Sequence, residues 1–387
     1  MRGHGRLALM GYARQRLRQQ LAARGHPPEI VAAAEQVLDP NILTLGFARR
    51  FTGYKRPNLL LFDPDRLRRL LTDPLRPAQL ILAGKAHPAD DEGKKMIQDW
   101  IVLAQQPELR QRIVFLEDYD LTLAQELVQG VDVWINTPRR PWEACGTSGM
   151  KILVNGGLNL SVLDGWWEEA YDTELGWAIG DGEKLDETAR DSRDAAQLYA
   201  ILERQVAPEF YARDESGLPR HWLARIRRSL AQLTPLYSGA RMLHEYIERL
   251  YLPAATEFRR RTADRGAPAA AMCDWEGRLR RGWPLLHIGE PTITGCGAQW
   301  QFSVPIYLGD IGADEVRVEM FADGAGDMPA PVTTMQRGMA IAGSANGHIY
   351  TGAAAATRPA TDYTVRIIPA LAGVRVPAEL ELIMWQK

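Results

Sequence analysis

Between residues 42 and 162 short apolar runs alternate with segments whose hydrophobic positions recur at helical spacing. Residues 42–47, 80–84, 112–116, 131–135 and 158–162 read as buried strands, and residues 91–104, 121–129 and 147–155 as helices. Pro57 suits the first turn of a helix over residues 58–62, and Asp63-Pro64 restarts one over residues 65–71. Apolar strands alternating with helices predict a parallel sheet covered on both faces. In such sheets chemistry collects in loops beyond the carboxyl ends of the strands. That rule directs attention to residues 48–57, 84–90, 117–120 and 136–151.

The pattern changes twice more. Residues 194–260 read as helical, and residues 262–271 (TADRGAPAAA) as a small-residue linker. Beyond it the period is that of strands, at 299–307, 316–321, 347–351, 363–368 and 379–385, with glycine-rich turns between them. The expected organisation is a helical lead-in over 1–40, an α/β domain over 41–261, the linker, and an antiparallel β-sandwich over 272–387. In the lead-in, Leu7, Met10, Leu17 and Leu21 form an apolar stripe interrupted by Arg14, and six arginines precede the first acid, Glu29. An amphipathic helix with a basic outer face is expected, an organellar transit segment being the alternative.

Of the 387 residues 46% are apolar and 24% charged, the composition of a globular protein with room for two or three domains. A net charge of −2 gives no electrostatic case for nucleic acid or an anionic membrane. Three scattered cysteines and no apolar run of membrane-spanning length make a cytoplasmic protein the expectation. There is no phosphate-binding G-x-x-x-x-G-K-[ST] motif, and no G-x-G-x-x-G follows the first strand. His244-Glu245-Tyr246-Ile247-Glu248 ends in Glu where a zinc-protease helix needs His, so no metal site is expected.

Two segments resist a bland explanation. The loop at 48–56 crowds Arg49, Arg50, Lys55 and Arg56 together with no acid, which is either a solvated basic loop or an anion site. In the segment 139–151, Gly146, Thr147, Ser148 and Gly149 offer small residues and free backbone N–H groups at a helix start. Lys151 lies about one turn further on. A phosphate cradle followed by an amine is what a phosphate-bearing aldehyde cofactor needs.

Arg140 through Lys151 (RPWEACGTSGMK), followed by Asn155 through Trp167 (NGGLNLSVLDGWW), resembles the cofactor segment of the α-glucan (glycogen/maltodextrin) phosphorylases, in particular their short bacterial and archaeal type. Residues 46–57, 82–88 (LAGKAHP) and 114–119 (VFLEDY) agree in the same order. The resemblance covers about residues 1–255; the tail resembles only an accessory region of that branch. It implies the C-terminal Rossmann-like domain of a GT-B glycosyltransferase, which binds pyridoxal 5'-phosphate. By resemblance Lys151 is the covalent anchor of that cofactor, Gly146, Thr147 and Tyr119 hold its phosphate, and Arg49 is a basic neighbour. Arg50 and Lys55 match the pair that binds substrate phosphate, and Glu143 the carboxylate on glucose hydroxyls, with Cys145 and Gly146 beside it. Cys145 stands where many relatives carry Ser.

The implied reaction is phosphorolysis of α-1,4-glucan by inorganic phosphate, giving glucose 1-phosphate. The family builds its site between two domains, and this chain begins just before the second. A fragment, a degenerate remnant or a split enzyme with a separate N-terminal half is therefore expected, inactive alone and prone to form a homodimer through its exposed wall. Two other readings stay open. One is a nucleotide-sugar glycosyltransferase of the same fold, which needs no amine at Lys151. The other is a non-catalytic glucan-binding module, with Trp275, Trp283, Trp300 and Trp385 as a sugar-stacking face or, more simply, as core.

Overall fold

Among the described residues six parallel strands carry the first half of the molecule: β1 (Leu43–Ala48), β2 (Ala78–Ala83), β3 (Ile113–Leu116), β4 (Val133–Asn136), β5 (Leu158–Val162) and β6 (Trp177–Ile179), in the order β3-β2-β1-β4-β5-β6. The computed structural model describes residues 2–180, 182, 186–324 and 330–386. The chain divides into two compact units, Met1–Leu243 and His244–Lys387.

The strands read as continuous apolar runs because both faces of the sheet are covered. Leu80 and Leu82 join Leu45, Phe47 and Trp100 in one core layer, while Ile81 and Ala83 join Leu9, Leu123 and Leu127 in the other. The covering helices of the unit are α1 (Arg2–Ala23), α2 (Pro28–Ala33), α3 (Pro64–Thr72), α4 (Asp91–Ala104), α5 (Leu121–Gly130), α6 (Thr147–Val154), α7 (Trp166–Ala170), α8 (Glu187–Ile201), α9 (Ala207–Tyr211) and α10 (Arg220–Leu236). Several start on a built cap: the side chains of Asp63, Asp90, Asp120 and Asp186 accept from the backbone N–H three residues on.

Helix α1 departs from the expected basic outer face. Leu9, Met10 and Ala13 are buried, whereas Leu7 is 59% exposed. Three of the arginines turn inward instead. Arg2 and Arg6 pair with the buried Asp132 at 3.4 and 3.7 Å. Arg14 donates to the carbonyls of Val37 and Leu38 at 2.8 and 2.7 Å, so it fastens the helix. Burial pushes the Asp132 carboxyl upward, and the two guanidinium groups and the Thr44 N–H oppose that shift. From the same helix, the Gln20 amide donates to the Phe115 carbonyl (3.2 Å) and accepts from the Glu117 N–H (3.0 Å), along the edge strand β3.

Helix α11 (Gly239–Tyr246) straddles the unit boundary in sequence, and α12 (Leu252–Gly282) opens the second unit. Within residues 262–271, expected as a linker, the four non-helical residues Ala263–Gly266 split α12 into two helical stretches that take up the rest of the segment. Among the described residues nine antiparallel strands follow: β7 (His287–Ile288), β8 (Thr292–Cys296), β9 (Gln299–Tyr307), β10 (Val316–Phe321), β11 (Val332–Thr334), β12 (Gln336–Ala340), β13 (Gly347–Ala355), β14 (Thr364–Pro369) and β15 (Met384–Trp385). They form one sheet β11-β10-β14-β15 and a second β12-β13-β9-β7 with β8 added on β9. Val304, Ile306, Val318, Met320, Val365 and Ile367 from both sheets share a core with Trp275 and Trp283. Those two tryptophans are therefore not sugar-stacking surface. Trp300 donates to the Arg358 carbonyl, and Trp385 sits at the rim beside Phe321 and Arg366.

Candidate active site

The strand order reverses direction between β1 and β4, and this topological switch point opens a crevice at the carboxyl ends of the two strands. The loop after β1 supplies Arg49, Arg50, Lys55 and Arg56; the loop after β4 supplies Arg139, Trp142, Glu143 and Cys145. Glu143 is buried, and Arg49 Nη2 lies 3.0 Å from each of its carboxylate oxygens. Lys55 Nζ pairs with the same carboxylate. The Glu143 backbone N–H donates to Asp164 (2.9 Å), which also accepts from the Gly165 N–H, so the loop is anchored from beyond β5.

Arg49 reaches this position past a close approach of backbone. A Cβ on Gly84 would stand 2.2 Å from the Arg49 carbonyl oxygen and 2.6 Å from the Phe51 ring, so only glycine fits there. Burial pushes the Arg49 guanidinium below its ordinary range, with Glu143 beside it pulling the other way. Its Nη1 is buried with no hydrogen-bond partner. The Tyr119 phenol lies within electrostatic reach of Arg49, and burial raises it. Burial also raises the Cys145 thiol above its ordinary range.

Helix α6 begins at Gly146, whose φ of +88° places it in the left-handed region, with no side chain capping the helix. The first-turn N–H groups at Thr147 and Ser148 have no carbonyl partner within the helix, the condition for holding an anion. Lys151 is exposed and unpaired among the described residues, as is Arg50. The structure thus brings Arg49, Lys55 and Glu143 into contact, sets Tyr119, Cys145 and Gly146 around them, and leaves Arg50 and Lys151 at the surface.

A second set of residues escaped sequence reasoning. Arg56 is buried and donates to Asp191 (2.9 Å), Asp194 (2.7 Å) and the carbonyls of Thr137 and Pro138. Arg139 completes the bracket with two bonds to Asp191 at 2.8 and 2.6 Å. Together they lock α8 to both crevice loops. The available signal was Asp191 and Asp194 beside Ala195 and Leu198 on the inward face of α8, where unpaired carboxylates do not belong.

A Rossmann-like α/β unit with an ion-paired crevice at its switch point is the class these features define. Residues 15–174 match the carbohydrate phosphorylase family model, and residues 283–387 the glycogen phosphorylase C-terminal domain. The glycogen phosphorylase of Mycobacterium tuberculosis is 41% identical over 381 residues, 95% of this chain and 44% of that protein. That of Aquifex aeolicus is 48% identical over 243 residues, 63% of this chain and 35% of the relative, and the maltodextrin phosphorylase of Thermococcus litoralis is 36% identical over 339 residues, 86% and 40%. The chain belongs to the α-glucan phosphorylase family. It spans less than half the length of each of these relatives.

Proposed function

We propose that the protein takes part in phosphorolysis of α-1,4-glucan to glucose 1-phosphate, carrying the phosphate-binding and cofactor-binding side of the site. The observation that supports this most is the convergence of Arg49 and Lys55 on Glu143 at the β1/β4 switch point. The activity proposed is that of a protein that also includes the rest of the relatives' length, in one chain or as a partner. The GT-B arrangement and a cytoplasmic setting belong to the same proposal.

The residues fit pyridoxal phosphate. Arg49 Nη1 lacks a partner, Gly146 enters α6 in the left-handed region with no side chain capping its N–H groups, and the free amine of Lys151 lies one turn along. Arg49, Tyr119, Gly146 and Thr147 would hold its phosphate, and Lys151 would anchor it. When bound, the cofactor supplies a phosphate that exchanges a proton with substrate phosphate. Arg50 and Lys55 hold that substrate phosphate and offset the repulsion of two anions side by side. Glu143 accepts hydrogen bonds from glucose hydroxyls and fixes the sugar over the crevice.

Two measurements test the reading. Borohydride reduction in the presence of pyridoxal phosphate, followed by peptide mapping, should label Lys151; label on another lysine rejects the cofactor site. Glucose 1-phosphate release from maltodextrin should appear when the chain is co-expressed with the N-terminal portion of a relative and be absent from the chain alone. No release in either arm, from folded protein, rejects the reaction.

A further inference from the structure

At the β3 edge of the parallel sheet, two strands away from β1 and its crevice, a cavity of about 460 Å3 lies between α1, α2, α4 and β3. Its size falls within the roughly 300–1,000 Å3 of small-ligand sites. Leu17 and Leu21 of α1, Ile30 of α2, Ile101 of α4, and Ile113 and Phe115 of β3 give it apolar walls. The phosphate and cofactor chemistry of the crevice has no use for it.

Helix α2 is the wall that lacks a partner. It is six residues long, follows Gly25 at a φ of +73° and Pro27, carries no side-chain cap, and buries none of its residues. Isolated helices shorter than about 12–15 residues are marginal in water, so α2 depends on whatever packs against it. Its Ile30 lines the cavity and is 42% exposed.

The polar lining narrows the occupant. A peptide would seek the outward backbone groups of β3, and Gln20 already binds two of them, the Phe115 carbonyl and the Glu117 N–H. Of the charged groups, Arg24 is paired with Glu117 at 2.7 Å. Arg110 has no ion pair or side-chain hydrogen bond among the described residues. The His26 ring and the exposed amides of Gln36, Gln105 and Gln111 complete the lining. One unpaired cation beside apolar walls matches a ligand with one negative charge on an apolar body. A polyphosphate would bring more charge than this lining offsets.

We propose that this cavity binds a small amphipathic monocarboxylate, its apolar body between α1, α2 and β3 and its carboxylate on Arg110. The site uses no residue of the crevice and stands apart from the phosphorolytic reading. A bound ligand would supply the surface that α2 lacks and hold it against the sheet edge.

Isothermal titration of the whole chain with decanoate and with decanol, joined to hydrogen exchange, tests the site. Decanoate should bind the wild type and slow amide exchange over residues 26–36. Arg110→Gln should weaken decanoate at least tenfold and leave decanol unchanged. Ala33→Trp, which sends a ring into the cavity from an exposed position of α2, should abolish binding of both. A folded wild type that takes no decanoate overturns the proposal. So does decanoate that binds Ala33→Trp normally or protects only amides outside α2, as it would on the exposed apolar residues of α11. Equal affinity for decanoate and decanol, or an Arg110→Gln variant that binds decanoate like the wild type, overturns the carboxylate assignment.

Discussion

Arg49 and Glu143 form a two-oxygen contact in which one guanidinium nitrogen lies 3.0 Å from both carboxylate oxygens. Lys55 closes on the same group, so the carboxylate sits where an incoming anion would find its cations. On the proposed reading, phosphate competes with the carboxylate for these two cations, and a phosphate that wins them frees Glu143 to meet a sugar. Glu143→Gln should raise the affinity of the chain for inorganic phosphate by about tenfold, for ~1.5 kcal/mol of pairing released. Calorimetry reads this directly, and weaker phosphate binding in the variant would show that Glu143 organises the cations instead of occupying them.

Gly84→Ala should damage the same corner without touching a charge. The added methyl group meets the Arg49 carbonyl and the Phe51 ring at distances no real contact tolerates. Overpacking of this kind costs about 1–3 kcal/mol, several degrees of melting temperature for a unit of this size. Thermal unfolding together with phosphate titration should show both stability and anion affinity reduced.

The Arg56 bracket carries a larger penalty. Arg56→Met removes a buried partner from Asp191 and Asp194, and breaking a buried pair on one side costs about 3–5 kcal/mol. Denaturant unfolding should show that loss. Asp194→Asn in the Arg56→Met background should recover part of it, because the carboxylate that loses Arg56 becomes neutral while Asp191 keeps its pair with Arg139.

In the second unit Glu379 accepts from Arg261 and from the Arg375 N–H, and these bonds hold its carboxyl down to about 2 from 4.5. The folded form then binds fewer protons than the unfolded chain between those values. Its contribution is complete above about pH 4.5 and disappears as the pH falls towards 2. The group is solvent-exposed, so screening limits the effect to about 0.2–1 kcal/mol. Glu379→Gln should flatten the acid limb of the stability profile of this unit and leave the wild type more stable at pH 6; identical profiles would assign the pair no role.

What the sequence disclosed depended on how local the cause was. Helix α4 spans Asp91–Ala104 and strand β9 Gln299–Tyr307, as their periodicity predicts, because cap residues and alternation lie within each segment. Strand β6 went unseen: Trp177–Ile179 is three residues between Gly176 and Gly180, too short for any period to register. The inward arginines of α1 were illegible for a different reason. Their partners, Asp132 and the carbonyls of Val37 and Leu38, lie 23 to 130 residues away, and a stripe of leucines says nothing of them. The crevice followed the same rule. Its loops were indicated by strand order, whereas the embrace of Glu143 by Arg49 and Lys55 crosses about 90 residues and needed the fold.

Gln20 serves the edge of the sheet rather than the crevice. By pairing one side-chain amide with the Phe115 carbonyl and the Glu117 N–H, it fills the position that the backbone of an added strand would take on β3. Open sheet edges are where folded proteins zip together into aggregates. Here a helix-borne glutamine acts as a stopper, and Gln20→Ala should convert a blocked margin into an adhesive one.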